Sequence, residues 1–276
     1  MSPNRGTILV GYDGSPAAVA ALQWAAETAS LEGYSVRALI VDREERSLPV
    51  HDWEPEDGMS ARVDAVLAAA GVSGAAELHS GRVVPLLLRE ALDATMLVVG
   101  SQGHGWAAET VQGSVSQHVA RHAPCPVVVV RAAAHPNAAR IVVGVDGSEE
   151  SRAALEFAFR RASLTKESVV AAHAWKPGRV DLDGRGQLPH TLAKRSQAAD
   201  AALAEYVAGL HTDHPDVTLE MDTMALSPAL ALTETSANAS LVVIGSRGRG
   251  LFTGLLLGSV SHHLLHRAQC PVAVVR

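Results

Sequence analysis

The sequence predicts an α/β fold of two tandem, open, five-stranded parallel sheets, each with helices on both faces in a Rossmann-like arrangement. Three observations lead there. Of 276 residues, 47% are hydrophobic but only 4% aromatic, so the core is built from Val, Leu, Ile and Ala, the residues of parallel strands covered on both faces. Short aliphatic runs alternate with helix-length amphipathic ones, the pattern of βαβ units. This pattern occurs twice: "ILVGYDGS" from Ile8 matches "IVVGVDGS" from Ile141, and "GSVSQHVARHAPCPVVVVR" from Gly113 matches "GSVSHHLLHRAQCPVAVVR" from Gly258. Self-similarity on this scale makes each half a domain, with domains expected at 1–134 and 140–276 on either side of the stretch "AAAHPNAA".

In the first repeat, strands are expected at 8–11, 36–41, 77–79, 96–99 and 127–130, the third being the weakest. In the second they are expected at 141–144, 168–172, 217–220, 241–244 and 272–275. Residues 17–29 and 151–163 read as first helices, with Ser15 and Ser148 placed to cap them. Matching anchors lie 133 residues apart early in the repeats and 145 apart later, which leaves twelve extra residues in the second half. These are expected in "KPGRVDLDGRGQLPH", from Lys176, because its Gly, Pro and Asp content reads as a loop. The only cysteines, Cys125 and Cys270, each open a Cys-Pro-Val tripeptide and are expected to be small buried residues, not a redox pair.

A net charge of −6 without a long basic run argues against a protein that binds nucleic acid or a membrane surface through clustered Lys and Arg. No apolar run approaches the roughly 18 to 20 residues of a membrane span. A cytoplasmic location is expected.

In an open parallel sheet, ligands bind beyond the carboxyl ends of strands, where strand order reverses. Gly11 and Gly144 end the first strands, and Asp13 and Asp146 follow them. The fourth strand of each repeat runs into Gly-x-x-Gly, then nine residues, then Gly-Ser opening a helix: Gly100, Gly103, Gly113 and Ser114, and again Gly245, Gly248, Gly258 and Ser259. Glycines let an anion reach backbone N–H groups with no Cβ in the way, and a helix start adds free N–H donors, a dipole and a hydroxyl. The loops therefore read as phosphate cradles. Two alternatives stand beside this: glycines also permit tight strand–helix packing, and each Asp could instead be a helix N-cap.

Together, the Val-Gly-x-Asp-Gly-Ser turn, the glycine loop and the terminal Cys-Pro-Val-x-Val-Val-Arg resemble the universal stress proteins in a tandem two-domain form, over nearly the whole chain. The resemblance implies an adenine-nucleotide-binding α/β fold and, for members with this loop, ATP as ligand; Mg²⁺ is expected to accompany the nucleotide. By position it implies Asp13 and Asp146 at the adenosine and Val41 and Ala174 at the adenine edge. The loop glycines and Ser114 or Ser259 would hold the phosphates; Arg249, beside Gly248, is read from the loop itself as a further phosphate-binding residue. The family is also linked to stress survival and growth control.

Other signals point away from catalysis. The pair His262 and His266 has helical metal-ligand spacing but no third ligand in sequence. No Gly-x-x-x-x-Gly-Lys-Ser/Thr occurs, and no nucleophile stands beside a base. A binding protein, not an enzyme, is expected. The rival readings are a nucleotide-cleaving or adenylate-forming enzyme and an interaction scaffold with vestigial sites. Arg247, Arg249 and Gly254 in the second loop stand where the first has Gln102, His104 and Glu109, so the second cradle is expected to hold an anion more tightly. The final strands read as edges needing cover. The two repeats are therefore expected to pair with each other, or in a homodimer; no regulatory protein partner is named by the sequence.

Overall fold

The structure, a computed structural model, describes residues 6–42, 56–103, 114–131, 138–176, 190–249 and 257–276. The chain divides into two compact units, built principally from residues 1–134 and 135–270. The first contains β1 (Thr7–Gly11), α1 (Pro16–Glu32), β2 (Ser35–Asp42), α2 (Glu56–Ala69), β3 (Gly74–Ser80), α3 (Val83–Glu90), β4 (Met96–Gly100), α4 (Ser114–His122) and β5 (Val127–Val130). Its strands lie in the order β3-β2-β1-β4-β5 and pair in parallel throughout. The second contains β6 (Arg140–Gly144), α5 (Glu149–Thr165), β7 (Ser168–Ala174), α6 (His190–Asp213), β8 (Leu219–Met224), α7 (Pro228–Ser236), β9 (Leu241–Gly245), α8 (Ser259–Arg267) and β10 (Val272–Val275), in the order β8-β7-β6-β9-β10. This is the open parallel α/β architecture that the aliphatic runs predict.

The central strands are apolar on both sides because helices cover both. Ile8, Leu9 and Val10 of β1 are fully buried, as are Ile141 and Val143 of β6. In the first unit α1 packs against α2 and α3 against α4; in the second α5 pairs with α6 and α7 with α8. Cys125 and Cys270 are both buried thiols.

The first helices start and stop alike. Ser15 and Ser148 are the N-caps, accepting the N–H groups of Ala18 and Ser151. Both helices end on a residue in the left-handed region, Gly33 at φ 69° and Lys166 at φ 62°. That conformation suits glycine and penalises lysine through its Cβ. Lys166 forms a 3.3 Å ion pair with Asp216, but its side chain is 73% exposed, and such a pair contributes little. Lys166→Gly is expected to raise the unfolding free energy by about 0.5–1 kcal/mol, measured by urea denaturation. A loss of stability would show that the pair outweighs the backbone.

One expectation needs correction. Strands β3 and β8 are longer than the sequence predicts, and β8 begins at Leu219, not Val217. Val217 is buried, but its N–H closes a turn onto the His214 carbonyl, and pairing with β7 sets the register from Leu219 onward. The stretch expected to hold the extra residues of the second half lies, over 177–189, outside the described residues. Helix α6 has 24 residues against 14 in α2, in keeping with the helix-forming Ala, Leu, Lys, Arg and Gln of "TLAKRSQAADAALAEY".

On the first sheet, Arg37 of β2 reaches Glu77 of β3 through two nitrogens, and Glu90 of α3, at 2.8 Å each. The hydrogen bonds from Arg37 hold both carboxyls below the usual glutamate range. Their contribution to stability is therefore complete above the ordinary glutamate pKa and lost as pH falls through the lower folded values. The counterpart of Arg37 in β7 is Val170. Arg37→Leu is expected to destabilise the first unit at neutral pH and to flatten its acid-dependent loss of stability below about pH 4, read by denaturation across pH. An undiminished acid dependence would assign it to other carboxylates.

Candidate functional site

Strand β1 lies between β2 and β4, and β6 between β7 and β9. From β1 the chain moves outward to β2 and later returns to β4 on the other side, so the carboxyl ends of β1 and β4 border a crevice. The ends of β6 and β9 border its counterpart. Each crevice is flanked by an Asp-Gly-Ser turn whose glycine, Gly14 or Gly147, has φ +78°, a conformation that glycine takes without strain. Asp13 Oδ1 accepts the Ser15 N–H at 3.1 Å. Asp146 Oδ1 accepts the Ser148 N–H at 3.0 Å and the Ser148 hydroxyl at 2.6 Å. The helix caps are thus the serines, and the aspartates brace them from two residues upstream.

The glycines divide by position. A Cβ on Gly100 would come within 2.8 Å of the Ala17 carbonyl carbon and 2.9 Å of the Ala18 nitrogen; one on Gly245 would come within 2.7 Å of the Glu150 Cβ. These two let the fourth strand lie against the first turn of α1 or α5. Gly11 and Gly144 pack similarly: a Cβ on Gly144 would stand 2.8 Å from Leu232 Cδ1, and one on Gly11 would stand 3.2 Å from Val99 Cγ1. Gly103 and Gly248 do something else. A Cβ on Gly103 would overlap Asp13 Oδ2, and one on Gly248 would overlap Asp146 Oδ2. Beside Gly248, the Arg249 N–H donates to Asp146 Oδ2 at 2.9 Å. In both repeats the loop after the fourth strand therefore closes onto the aspartate after the first.

Gly113 lies outside the described residues. Ser114 and Ser259 each open their helix and are exposed. Gly258 is the N-cap of α8, and its N–H is not a free donor, because it reaches the Ser246 carbonyl at 2.8 Å. Val41 and Ala174 are half-buried at the carboxyl ends of β2 and β7, one strand away from the aspartates and on the same edge.

A sequence profile of the universal stress protein family matches residues 4–131 and again 138–276. The chain belongs to the universal stress protein family. It is similar to Universal stress protein Rv2623 of Mycobacterium tuberculosis, with 36% identity over 288 residues that cover 98% of this chain and 96% of the relative. It is also similar to Universal stress protein Rv2005c of the same organism, with 35% identity over 289 residues and the same shares covered. A universal stress protein of Archaeoglobus fulgidus shares the fold, with a TM-score of 0.70 at 20% identity over 99% of this chain and 97% of that one. Among the described residues, no helix of this universal stress protein is long and apolar enough to cross a membrane.

The electrostatics of the two crevices differ. Burial acts to raise the pKa of Asp146, but hydrogen bonds from the Ser148 hydroxyl and N–H, the Arg249 N–H and Ser151 outweigh it and leave the carboxyl below the usual range. The Arg247 guanidinium pairs with Glu150 at 3.0 Å, whereas by repeat alignment the counterparts of the two residues are Gln102 and Ala17, which cannot form an ion pair. The charge difference read from the loops is therefore smaller than two arginines suggest, since Glu150 offsets one of them. His104, Glu109 and Gly254 lie outside the described residues.

Several contributors are invisible to motif reading. The Ser261 hydroxyl donates to the Gly245 carbonyl at 2.9 Å and ties α8 to β9. His173 donates from Nδ1 to the Val145 carbonyl at 2.7 Å beside the crevice. Ser246 is 1% exposed, and its hydroxyl has no partner among the described residues. Recurrence is the sequence signal for two of these: "GSVS" covers Ser261, and the Gly-Ser after the fourth strand covers Ser246, whereas His173 has Ile40 as its counterpart.

Proposed function

We propose that this universal stress protein binds ATP, with Mg²⁺ carried on the phosphates, at the carboxyl edges of its two sheets, and acts in the cytoplasm as a nucleotide-dependent stress or growth regulator. The observation that carries this reading is the closure of the glycine loop onto the aspartate at each strand-order reversal. The donor set suits a polyanion. Arg249 and the Ser259 hydroxyl are exposed, the first-turn amides of α8 have no intrahelical acceptors, and a Cβ on Gly258 would meet nothing closer than 3.5 Å. Bound phosphates would supply the negative charge that this helix start favours. Within this reading Val41 and Ala174 flank the adenine.

Among the described residues no three His, Cys, Asp or Glu side chains gather around a metal position. Mg²⁺ would therefore be held mainly by phosphate oxygens and water, its usual habit in nucleotide sites. The reading is of binding and not rapid turnover, because the chain lacks the P-loop lysine that positions phosphates for transfer. With Arg247 offset by Glu150, Arg249 remains the main reason for a tighter second site. Pairing of the two repeats, or of two chains, belongs to the same reading.

Mass spectrometry of the purified protein after denaturation tests it. Release of intact adenine nucleotide supports the reading, and rapid accumulation of ADP from added ATP shifts it to an enzyme. Absence of bound nucleotide together with absence of titratable affinity overturns it in favour of a scaffold.

A further inference from the structure

We infer that Asp146, and Asp13 in the first repeat, is a positioning residue: its carboxylate is a strut that sets the glycine loop for phosphates, and it does not read the base. The inference rests on the nucleotide-site reading above and changes the task of its most prominent side chain. A carboxylate offers about four lone-pair positions. At Asp146 three are taken by the chain itself: Oδ1 receives the Ser148 N–H and hydroxyl, and Oδ2 receives the Arg249 N–H. Oδ2 is also covered by Gly248, whose missing Cβ is the space the oxygen fills. Asp13 repeats the arrangement with the Ser15 N–H on Oδ1 and Gly103 against Oδ2.

Such a carboxylate joins the turn after β6 to the loop after β9 across the crevice. Hydrogen bonds to a charged acceptor are short and about twice as strong as neutral ones, so the backbone at Gly248 and Arg249 is held before any ligand arrives. Preorganisation of this kind adds to phosphate affinity by removing the cost of ordering the loop on binding. It also accounts for the spacing between the two loop glycines. Gly245 must pack on α5, and Gly248, three residues on, must admit the carboxylate.

The test uses the full chain with Asp13→Asn and Asp146→Asn combined. The shape is kept, but at Asp146 one oxygen becomes an NH₂ that faces an N–H or O–H donor, so at least one bond of that strut is lost, and at Asp13 the charge on the acceptor of the Ser15 N–H is removed. Calorimetric titration with ATP and with adenosine separates the two roles. For a strut, ATP affinity falls about tenfold or more while adenosine affinity stays as in wild type. For a base reader, both fall by the same factor, which would overturn the inference. A second readout needs no nucleotide: exchange of the Arg249 amide, followed by hydrogen–deuterium exchange, is expected to speed up about tenfold or more in Asp146→Asn. Unchanged exchange would also overturn the inference. Should wild type bind neither probe, the nucleotide reading fails, and the exchange result still decides whether the strut exists. Gly248→Ala, whose Cβ evicts the carboxylate, is expected to reproduce the exchange change and to add little when combined with Asp146→Asn; additive effects would count against the strut.

Discussion

ATP at a hundredfold excess over its Kd is expected to raise the unfolding free energy of the unit that binds it by about 2.7 kcal/mol, and Gly258→Glu is expected to remove that gain from the second unit. The substitution is chosen because the fold can accept it. Gly258 sits at φ −69° and ψ 157°, backbone that any residue adopts, and its added Cβ would meet only the Ser246 oxygen at 3.5 Å and the Arg247 Cα and Ser261 Oγ at 3.6 Å. A carboxylate at the start of α8 complements the helix dipole. The variant without ligand should therefore be as stable as wild type, or slightly more so. The same carboxylate stands where phosphates would approach and repels them. Calorimetric titration should show the tighter binding step disappear while the first repeat keeps its own. An unchanged isotherm and an unchanged thermal shift would place the phosphates elsewhere.

The largest expected losses of stability come from the glycines that end the fourth strands. Gly100→Ala would press a methyl group against the backbone of α1 at Ala17 and Ala18, and Gly245→Ala would press one against Glu150 of α5. A flexible side chain could step aside, but backbone in the first turn of a capped helix cannot. Overpacking of this kind costs about 1–3 kcal/mol, and contact with backbone places these two at the upper end. Urea denaturation of each variant measures the cost, with Gly258→Ala as the expected neutral control. Wild-type stability in Gly245→Ala would show that α5 can retreat from β9 freely.

These two experiments also show where the sequence speaks and where it stops. The inner strands are legible because burial on both faces forces an unbroken aliphatic run, as in "ILVG" and "LVVIG". The outer strands β3 and β8 are half solvated and carry Glu77, His79, Glu220 and Asp222, so their pattern fades and their ends are misplaced by several residues. The aspartate turn and the glycine loop are legible as partners, because strand-order reversal brings them to one crevice in both repeats. The division of labour inside the loop is not. Gly100 and Gly103 look equivalent in the motif, yet one packs on a helix and the other admits a carboxylate. The pairing of Arg247 with Glu150 spans 97 positions of sequence, and no local pattern announces it.

Ser246 gives the site a different significance. Its buried hydroxyl lacks a partner among the described residues, and a buried polar group left unpaired costs about 1–3 kcal/mol. Folding alone gains from exchanging it for alanine, which fills nearly the same space with nothing left unpaired. A population of variants selected only for heat resistance would therefore drift toward alanine at this position. One selected for its response to a ligand that donates or accepts there would hold the serine despite the cost. Competition between the serine and alanine alleles, with and without the ligand, is expected to separate the two pressures.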